Sequence, residues 1–313
     1  MPEKILVTGA FGQIGTELVE ALQKRYGIDN IIALGHRNIP ANFKGILEKG
    51  GTEDKEVMQS ILKRHKITQI YHLASILSAT GEKDPQLAWD VNVTSLKNVL
   101  DLAVVQKAKV LLPSSIAVFG PTTPRTNTPQ HTMLEPTTMY GVTKVTGELL
   151  CQYYFVRYGL DVRGLRYPGL ISWKTEPGGG TTDYAVAIFY DAIKSGKYAC
   201  YLRDDTTMPM MYMDDAIKGT IDIMEADAKK IKARTSYNMA AISFSPKEIA
   251  AEIKKHIPKF ECTYTPDFRQ KIADSWPMSI DDSDARKDWG WKHDFDLSKM
   301  VAEMLKHLRK KLA

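Results

Sequence analysis

Tyr140 and Lys144 stand four residues apart in Tyr140-Gly141-Val142-Thr143-Lys144. On a helix that spacing puts both side chains on one face. An ammonium then lies beside a phenol. A free tyrosine ionises near pH ~10. A neighbouring positive charge favours the phenolate, so such a tyrosine can take a proton near neutral pH. Upstream, Ser114-Ser115 closes the apolar run Lys109–Pro113. Open parallel sheets bind ligands outside the carboxyl ends of their strands, which puts these hydroxyls on the edge where the Tyr–Lys pair is needed. A third feature is Gly9-Ala10-Phe11-Gly12-Gln13-Ile14-Gly15, directly after the run Lys4–Thr8 and before a helical stretch. Glycines there allow a tight turn and close approach of backbone to a pyrophosphate. The helix N-terminus adds free N–H groups and the positive end of its dipole. Proton abstraction next to a bound dinucleotide is the chemistry these residues suggest.

The elements that must hold them are readable from periodicity. Ile5–Val7, Ile31–Leu34, Ile70–Leu73, Val110–Leu112 and Asp161–Arg166 read as buried strands. Between them lie helical stretches over 13–26, 54–65, 84–107 and 138–158. This alternation predicts an α/β fold: a Rossmann-type doubly wound parallel sheet. Residues 1–170 are expected to form the dinucleotide-binding domain. Residues 171–313 are expected to form mainly a small substrate cap, with segments returning to the first domain. They read as too short and discontinuous for a second independent sheet. Pro177–Thr182 reads as a loop, 183–195, 214–226 and 296–311 as helices, 199–213 as extended and 262–290 as irregular. Ser245-Pro246-Lys247-Glu248 carries the signature of a helix start.

Composition excludes several classes. The 313 residues are 43% apolar and 25% charged, which is globular rather than disordered. The net charge of +5 comes with no basic stripe interleaved with aromatics, so no nucleic-acid partner is expected. No run approaches the ~20 apolar residues of a membrane span. The three cysteines lack metal-ligand spacing and cannot form a disulfide framework, so no metal is expected and the compartment reads as reducing.

The glycine spacing, the Tyr–Lys pair and the serines resemble the extended branch of the short-chain dehydrogenase/reductase superfamily. The resemblance sharpens at Leu77–Glu82, Leu165–Ser172, Pro177–Val186, Pro209–Met213 and Ser275-Trp276-Pro277. There the chain is similar to the short-chain type of L-threonine 3-dehydrogenase, a family built like UDP-galactose 4-epimerase. The family oxidises L-threonine with NAD⁺ to L-2-amino-3-oxobutyrate. The resemblance implies Tyr140 as base, Ser115 as the hydroxyl that holds the reacting oxygen, and Lys144 on the nicotinamide ribose. It implies cofactor contacts from Gly9, Gly12, Gln13, Ile14 and Gly15. Further residues of the cofactor site are Arg37 and Thr52, Leu73, Ala74 and Ser75 after the Tyr71-His72 strand, Asn92, which would pin backbone near the active site, and Pro168. His72 reads as a packed strand residue. The substrate would meet Ser78, Ser114, Ser115, Tyr140, Gly180, Thr181 and Trp276. Gly180 and Thr181 would offer an N–H and a hydroxyl to its carboxylate.

Two positions depart from the pattern. Gly35 stands where a ribose-binding carboxylate is expected, with Arg37 nearby either as a 2′-phosphate site or stacked on adenine. Gly51 stands where many relatives carry an Asp that reads adenine. NAD remains the expected cofactor. Relatives commonly dimerise through the helices matching 84–107 and 138–158, so a homodimer is expected. The chain reaches strand-like sequence by Lys4, which leaves a cytoplasmic location as the expectation. Two other readings stay open: a nucleotide-sugar epimerase or dehydratase of the same superfamily, and a non-catalytic NAD(P)-sensing regulator.

Overall fold

A computed structural model describes residues 3–35, 38–178 and 180–313, without the side chain of Ala79. Two compact units interleave along the chain. The first comprises Met1–Val118, Pro136–Arg166 and Ile217–Tyr237. The second comprises Phe119–Glu135, Tyr167–Ala216 and Asn238–Ala313.

The first unit is built on a seven-stranded sheet. Its strands are β1 (Ile5–Thr8), β2 (Ile31–Leu34), β3 (Ile46–Glu48), β4 (Gln69–His72), β5 (Lys109–Ser115), β6 (Val162–Tyr167) and β7 (Tyr237–Asn238). Their order is β7-β6-β5-β4-β1-β2-β3, and β1 pairs in parallel with both β2 and β4. The strand order reverses at β1, the crevice where doubly wound sheets take their ligands. β1, β2 and β4 are buried at every residue, as strands covered on both faces must be. Four main helices cover them: α1 (Gln13–Tyr26), α2 (Lys55–His65), α3 (Ser95–Gln106) and α4 (Met139–Tyr158). Leu6, Ile32, Ile70 and Val110 pack in one core with Met58, Ile61, Leu96, Val99 and Leu100.

Three expectations need correction here, the first being that 262–290, read as irregular, holds the helices Arg269–Asp274 and Ser283–Trp289. The stretch 84–107 is not one helix. It runs as Pro85–Trp89, a π-type turn over Asp90–Thr94, and α3. Residues after 170 do form sheets of their own. In the second unit, Met208–Tyr212 lies between Gly169–Ile171 in parallel and Ile242–Phe244 in antiparallel. Lys197–Cys200 also pairs with Glu261–Tyr264 in parallel. These strands are three to five residues long and far apart in sequence, so no local pattern announces their pairing. The capping box at Ser245 forms as the sequence suggests: its hydroxyl accepts the Glu248 N–H, and the Glu248 carboxylate accepts the Ser245 N–H.

Candidate active site

The glycine loop joins β1 to α1. Gly9 has φ +63, a conformation side chains rarely adopt. A Cβ on Gly9 would come 2.8 Å from the Ala74 backbone nitrogen, and one on Gly15 would come 2.3 Å from the Gly9 carbonyl oxygen. Only glycine fits either place. Gly12 caps α1 with no side-chain hydrogen bond, and no acidic residue stands in the first turn. Gln13, Ile14 and Gly15 therefore open a helix whose first turn carries no acidic residue, which fits a dinucleotide pyrophosphate. Thr52 is 4% exposed. Arg37 lies outside the described residues.

Both glycine departures have neighbours that explain them. A Cβ on Gly35 would come 2.7 Å from the Phe11 ring, which itself meets Phe43 edge-on at 5.1 Å. An aromatic pair fills the space a carboxylate would need. A Cβ on Gly51 would come 2.1 Å from the Glu53 carboxylate. Glu53 thus returns a carboxylate to the corner that position 51 leaves bare. Its spacing, two residues after Gly51, was the available signal.

The segment Leu73-Ala74-Ser75 leaves the carboxyl end of β4, half-buried. His72 bridges two hydroxyls behind it: Nδ1 lies 3.0 Å from Thr8 Oγ1, and Nε2 lies 3.4 Å from Ser95 Oγ. Burial, aided by the Lys144 charge, draws His72 down to about 3, so it stays neutral. It is a packed strand residue, as its sequence position suggests.

Asn92 sits in the π-type turn and is 7% exposed. Its Oδ1 accepts from the Ile76 N–H at 2.7 Å and from Ser75 Oγ at 3.0 Å. Its Nδ2 donates to the Ile76 carbonyl and to Thr143 Oγ1, both at 3.0 Å. Two acceptor sites and two donors are all used. Asn92 thus pins the backbone after Ser75, as the resemblance implies, and ties it to α4. Thr143 in turn donates to the Tyr140 carbonyl at 2.8 Å.

The Tyr–Lys pair forms on α4. The Thr138 side chain caps this helix by accepting from the Gly141 N–H. Lys144 Nζ lies 5.3 Å from the centre of the Tyr140 ring and donates to the Pro113 carbonyl at 2.8 Å. Burial pushes the Tyr140 phenol up to about 12, and a hydrogen bond with the Ser115 hydroxyl works against it. Burial brings Lys144 down to about 8, with the Glu148 carboxylate acting in the other direction. Tyr140, Lys144 and Ser115 are thus brought together at the carboxyl end of β5. Ser114 is not. Its Oγ donates to Glu148 at 2.5 Å, and the residue is 2% exposed. Adjacent strand residues point to opposite faces, so one serine of the pair must face the packing. Ser114 is corrected from a substrate contact to a structural one. Ser78 opens a short helix, Ser78–Lys83, half-buried.

In the second unit, Pro168 is buried immediately after β6. Thr181 is 4% and Trp276 8% exposed, and the Trp276 carbonyl accepts from Arg125 Nε at 3.1 Å. The Gly178 and Gly180 N–H groups donate to one carboxylate oxygen of Asp183, at 2.7 and 2.9 Å. The expected free N–H at Gly180 is therefore corrected: it already holds a carboxylate, one supplied by the loop itself. Tyr201 donates to the Gly180 carbonyl at 2.9 Å.

The sheet order, the glycine loop and the Tyr–Lys pair define a Rossmann-type oxidoreductase that uses a nicotinamide cofactor. The comparisons agree. The NAD dependent epimerase/dehydratase family matches over residues 5–240. The mitochondrial L-threonine 3-dehydrogenase of Bos taurus is 48% identical over 97% of this chain and 82% of its own length. A monomeric L-threonine 3-dehydrogenase from a metagenome, in apo form, superposes with a TM-score of 0.95 at 53% identity. It covers 99% of this chain and 100% of its own. The GalE-like L-threonine dehydrogenase of Cupriavidus necator, in holo form, gives 0.94 at 53%, covering 97% and 99%. This chain belongs to the NAD dependent epimerase/dehydratase family.

Proposed function

We propose that the protein oxidises L-threonine at C3 to L-2-amino-3-oxobutyrate, with NAD as its cofactor. The observation that carries this is the grouping of Tyr140, Lys144 and Ser115 at the end of β5, two strands from the glycine loop's β1 in the same sheet, in a chain about half identical to L-threonine 3-dehydrogenases over nearly its whole length. The oxidised nicotinamide ring supplies the hydride acceptor when bound. Gly9, Gly12 and Gly15 admit the pyrophosphate, with Gln13 and Ile14 at the helix N-terminus. Tyr140, as phenolate, takes the proton of the substrate hydroxyl. Ser115 holds the same oxygen. The Ser115 hydrogen bond works against the burial that keeps the phenol protonated, and the Lys144 ammonium would bind the nicotinamide ribose. Thr181 and Trp276 stand for the substrate end. NAD as the cofactor is supported by the match to the NAD dependent epimerase/dehydratase family.

Formation of reduced nicotinamide, read by its absorbance with L-threonine and either NAD⁺ or NADP⁺, tests the reading. We expect turnover mainly with NAD⁺. Turnover mainly with NADP⁺ reverses the cofactor assignment. No turnover with either, together with a raised melting temperature in UDP-glucose, replaces the substrate with a nucleotide sugar.

We further propose a homodimer. Val142, Leu149, Tyr153 and Val156 fall on one face of α4, and Leu149 and Val156 are 61% and 71% exposed. Trp89 and Val105, before and on α3, are exposed as well. An apolar stripe of this kind marks an interaction surface. Leu149→Arg is expected to convert a dimer to a monomer in size-exclusion light scattering, without loss of helical signal. A wild-type monomer at micromolar concentration sinks the proposal. Three free cysteines fit a reducing cytoplasm, which is the location we propose. No helix among the described residues is long and apolar enough to cross a membrane.

A further inference from the structure

Glu148 stands one helical turn beyond Lys144 on α4 and is 1% exposed. Arg166 on β6, itself 3% exposed, grips it twice: Nε to Oε1 at 2.9 Å and Nη2 to Oε2 at 2.7 Å. Ser114 on β5 donates to Oε1 at 2.5 Å. Three elements therefore meet on one buried carboxylate. Buried ion pairs of this kind contribute little net stability relative to apolar packing of the same volume. Two of the links lead to the reacting groups. Ser114 is joined to Ser115 along β5, and Lys144 shares α4 with the carboxylate.

We propose that Glu148 is a positioning residue for the reaction: through Ser114 it sets the Ser115 hydroxyl, and across one turn its negative charge steadies the Lys144 ammonium. The inference rests on the roles assigned above to Ser115 and Lys144. Among the described residues, four further groups beside the carboxylate bear on Lys144. His72 of β4 is neutral, held down by burial and by Lys144 itself. Tyr140 and Cys151 on α4 are both pushed up by burial and stay protonated near neutral pH. Arg166 of β6 is positive but bound by Glu148. The carboxylate is the group here that pulls Lys144 upward, against burial.

Glu148→Gln keeps the shape and removes the charge. Two readouts are needed. The first is the pH profile of kcat and KM with L-threonine and NAD⁺. The second is the ¹³Cε NMR titration of Lys144 in the free protein, assigned by its absence in Lys144→Met. We expect the Lys144 titration and the alkaline limb of kcat to move down together by about one pH unit. We expect kcat at pH ~8 to fall about tenfold with KM within twofold of wild type. Glu148→Asp, which restores the charge but shortens the reach, is expected to return the titration and not the full kcat. Should Glu148→Gln not fold, Ser114→Ala reads the other arm: kcat falls about tenfold with the pH profile unmoved. A folded Glu148→Gln with lowered melting temperature and an unmoved Lys144 titration overturns the proposal, as does a fully active Ser114→Ala. Wild-type protein that leaves threonine untouched, while Glu148→Gln still shifts Lys144, fails the functional reading and not this one.

Discussion

Tyr140→Phe should abolish nearly all threonine oxidation while leaving the cofactor bound. The substitution removes one oxygen from a half-buried ring and, with it, the hydrogen bond to the Ser115 hydroxyl. Lys144 keeps its bond to the Pro113 carbonyl, and Asn92 keeps its hold on Thr143. What disappears is the atom that takes the substrate proton. General-base contributions run to about 10³-fold, so kcat/KM should fall by that order, or ~4 kcal/mol of barrier. NADH affinity, followed by its fluorescence, should stay within about twofold, because the phenol is not what closes the pyrophosphate site. A variant that retains turnover within about tenfold of wild type removes Tyr140 from proton transfer. Simultaneous loss of NADH binding would instead point to a role in shaping the site. On the acid side of its optimum the wild-type rate should rise with pH as the phenolate forms. The Tyr140 pKa is raised, so the protonated and inactive form dominates below it.

Gly15→Ala carries the second large effect, through backbone rather than chemistry. The added methyl would stand 2.3 Å from the Gly9 carbonyl oxygen and 2.8 Å from the Ala10 carbonyl carbon. Neither neighbour is a side chain that can swing aside. The loop must open, and the N–H groups of α1 lose their aim. An NADH affinity loss of about 100-fold, near 2.7 kcal/mol, is expected in protein that keeps its helical signal. Gly12→Ala is the internal control. Its methyl would come no closer than 3.3 Å to the Gly9 oxygen, so the loss should stay below about tenfold. Equal losses in the two variants would show that the loop is not read through this close contact.

How much of this could be read from sequence follows from how local each cause is. Helix α1 runs over 13–26 as periodicity places it, because its apolar face and its glycine cap at Gly27 are written within its own length. β3 escapes notice: Ile46-Leu47-Glu48 is three residues, all half-buried, at the sheet's edge. The Tyr–Lys pair is a helix-spacing statement and survives folding intact. Ser114 and Ser115 are distinguishable in principle, since strand alternation sends one of them inward. Sequence does not say which, until Glu148 and Arg166 arrive from α4 and β6 to claim Ser114. The four bonds of Asn92 span up to 51 residues along the chain, so no window could have shown them. Asp183 illustrates a nearer miss. It stands only three residues past Gly180, yet its capture of that N–H depends on how the loop folds back.

The π-type turn over Asp90–Thr94 fixes a rotational phase. Each residue of a regular helix turns the chain by about 100°, so the wide turn offsets everything before it from everything after it. Deleting one residue there would let the segment straighten into a continuous α-helix with better backbone bonding. It would also swing Asn92 away from Ile76 and Thr143, or swing Trp89 and Leu87 out of their present facing. The defect in the helix is thus what allows one short segment to address two directions at once: the backbone beside the reaction on one side, and the exposed apolar stripe on the other.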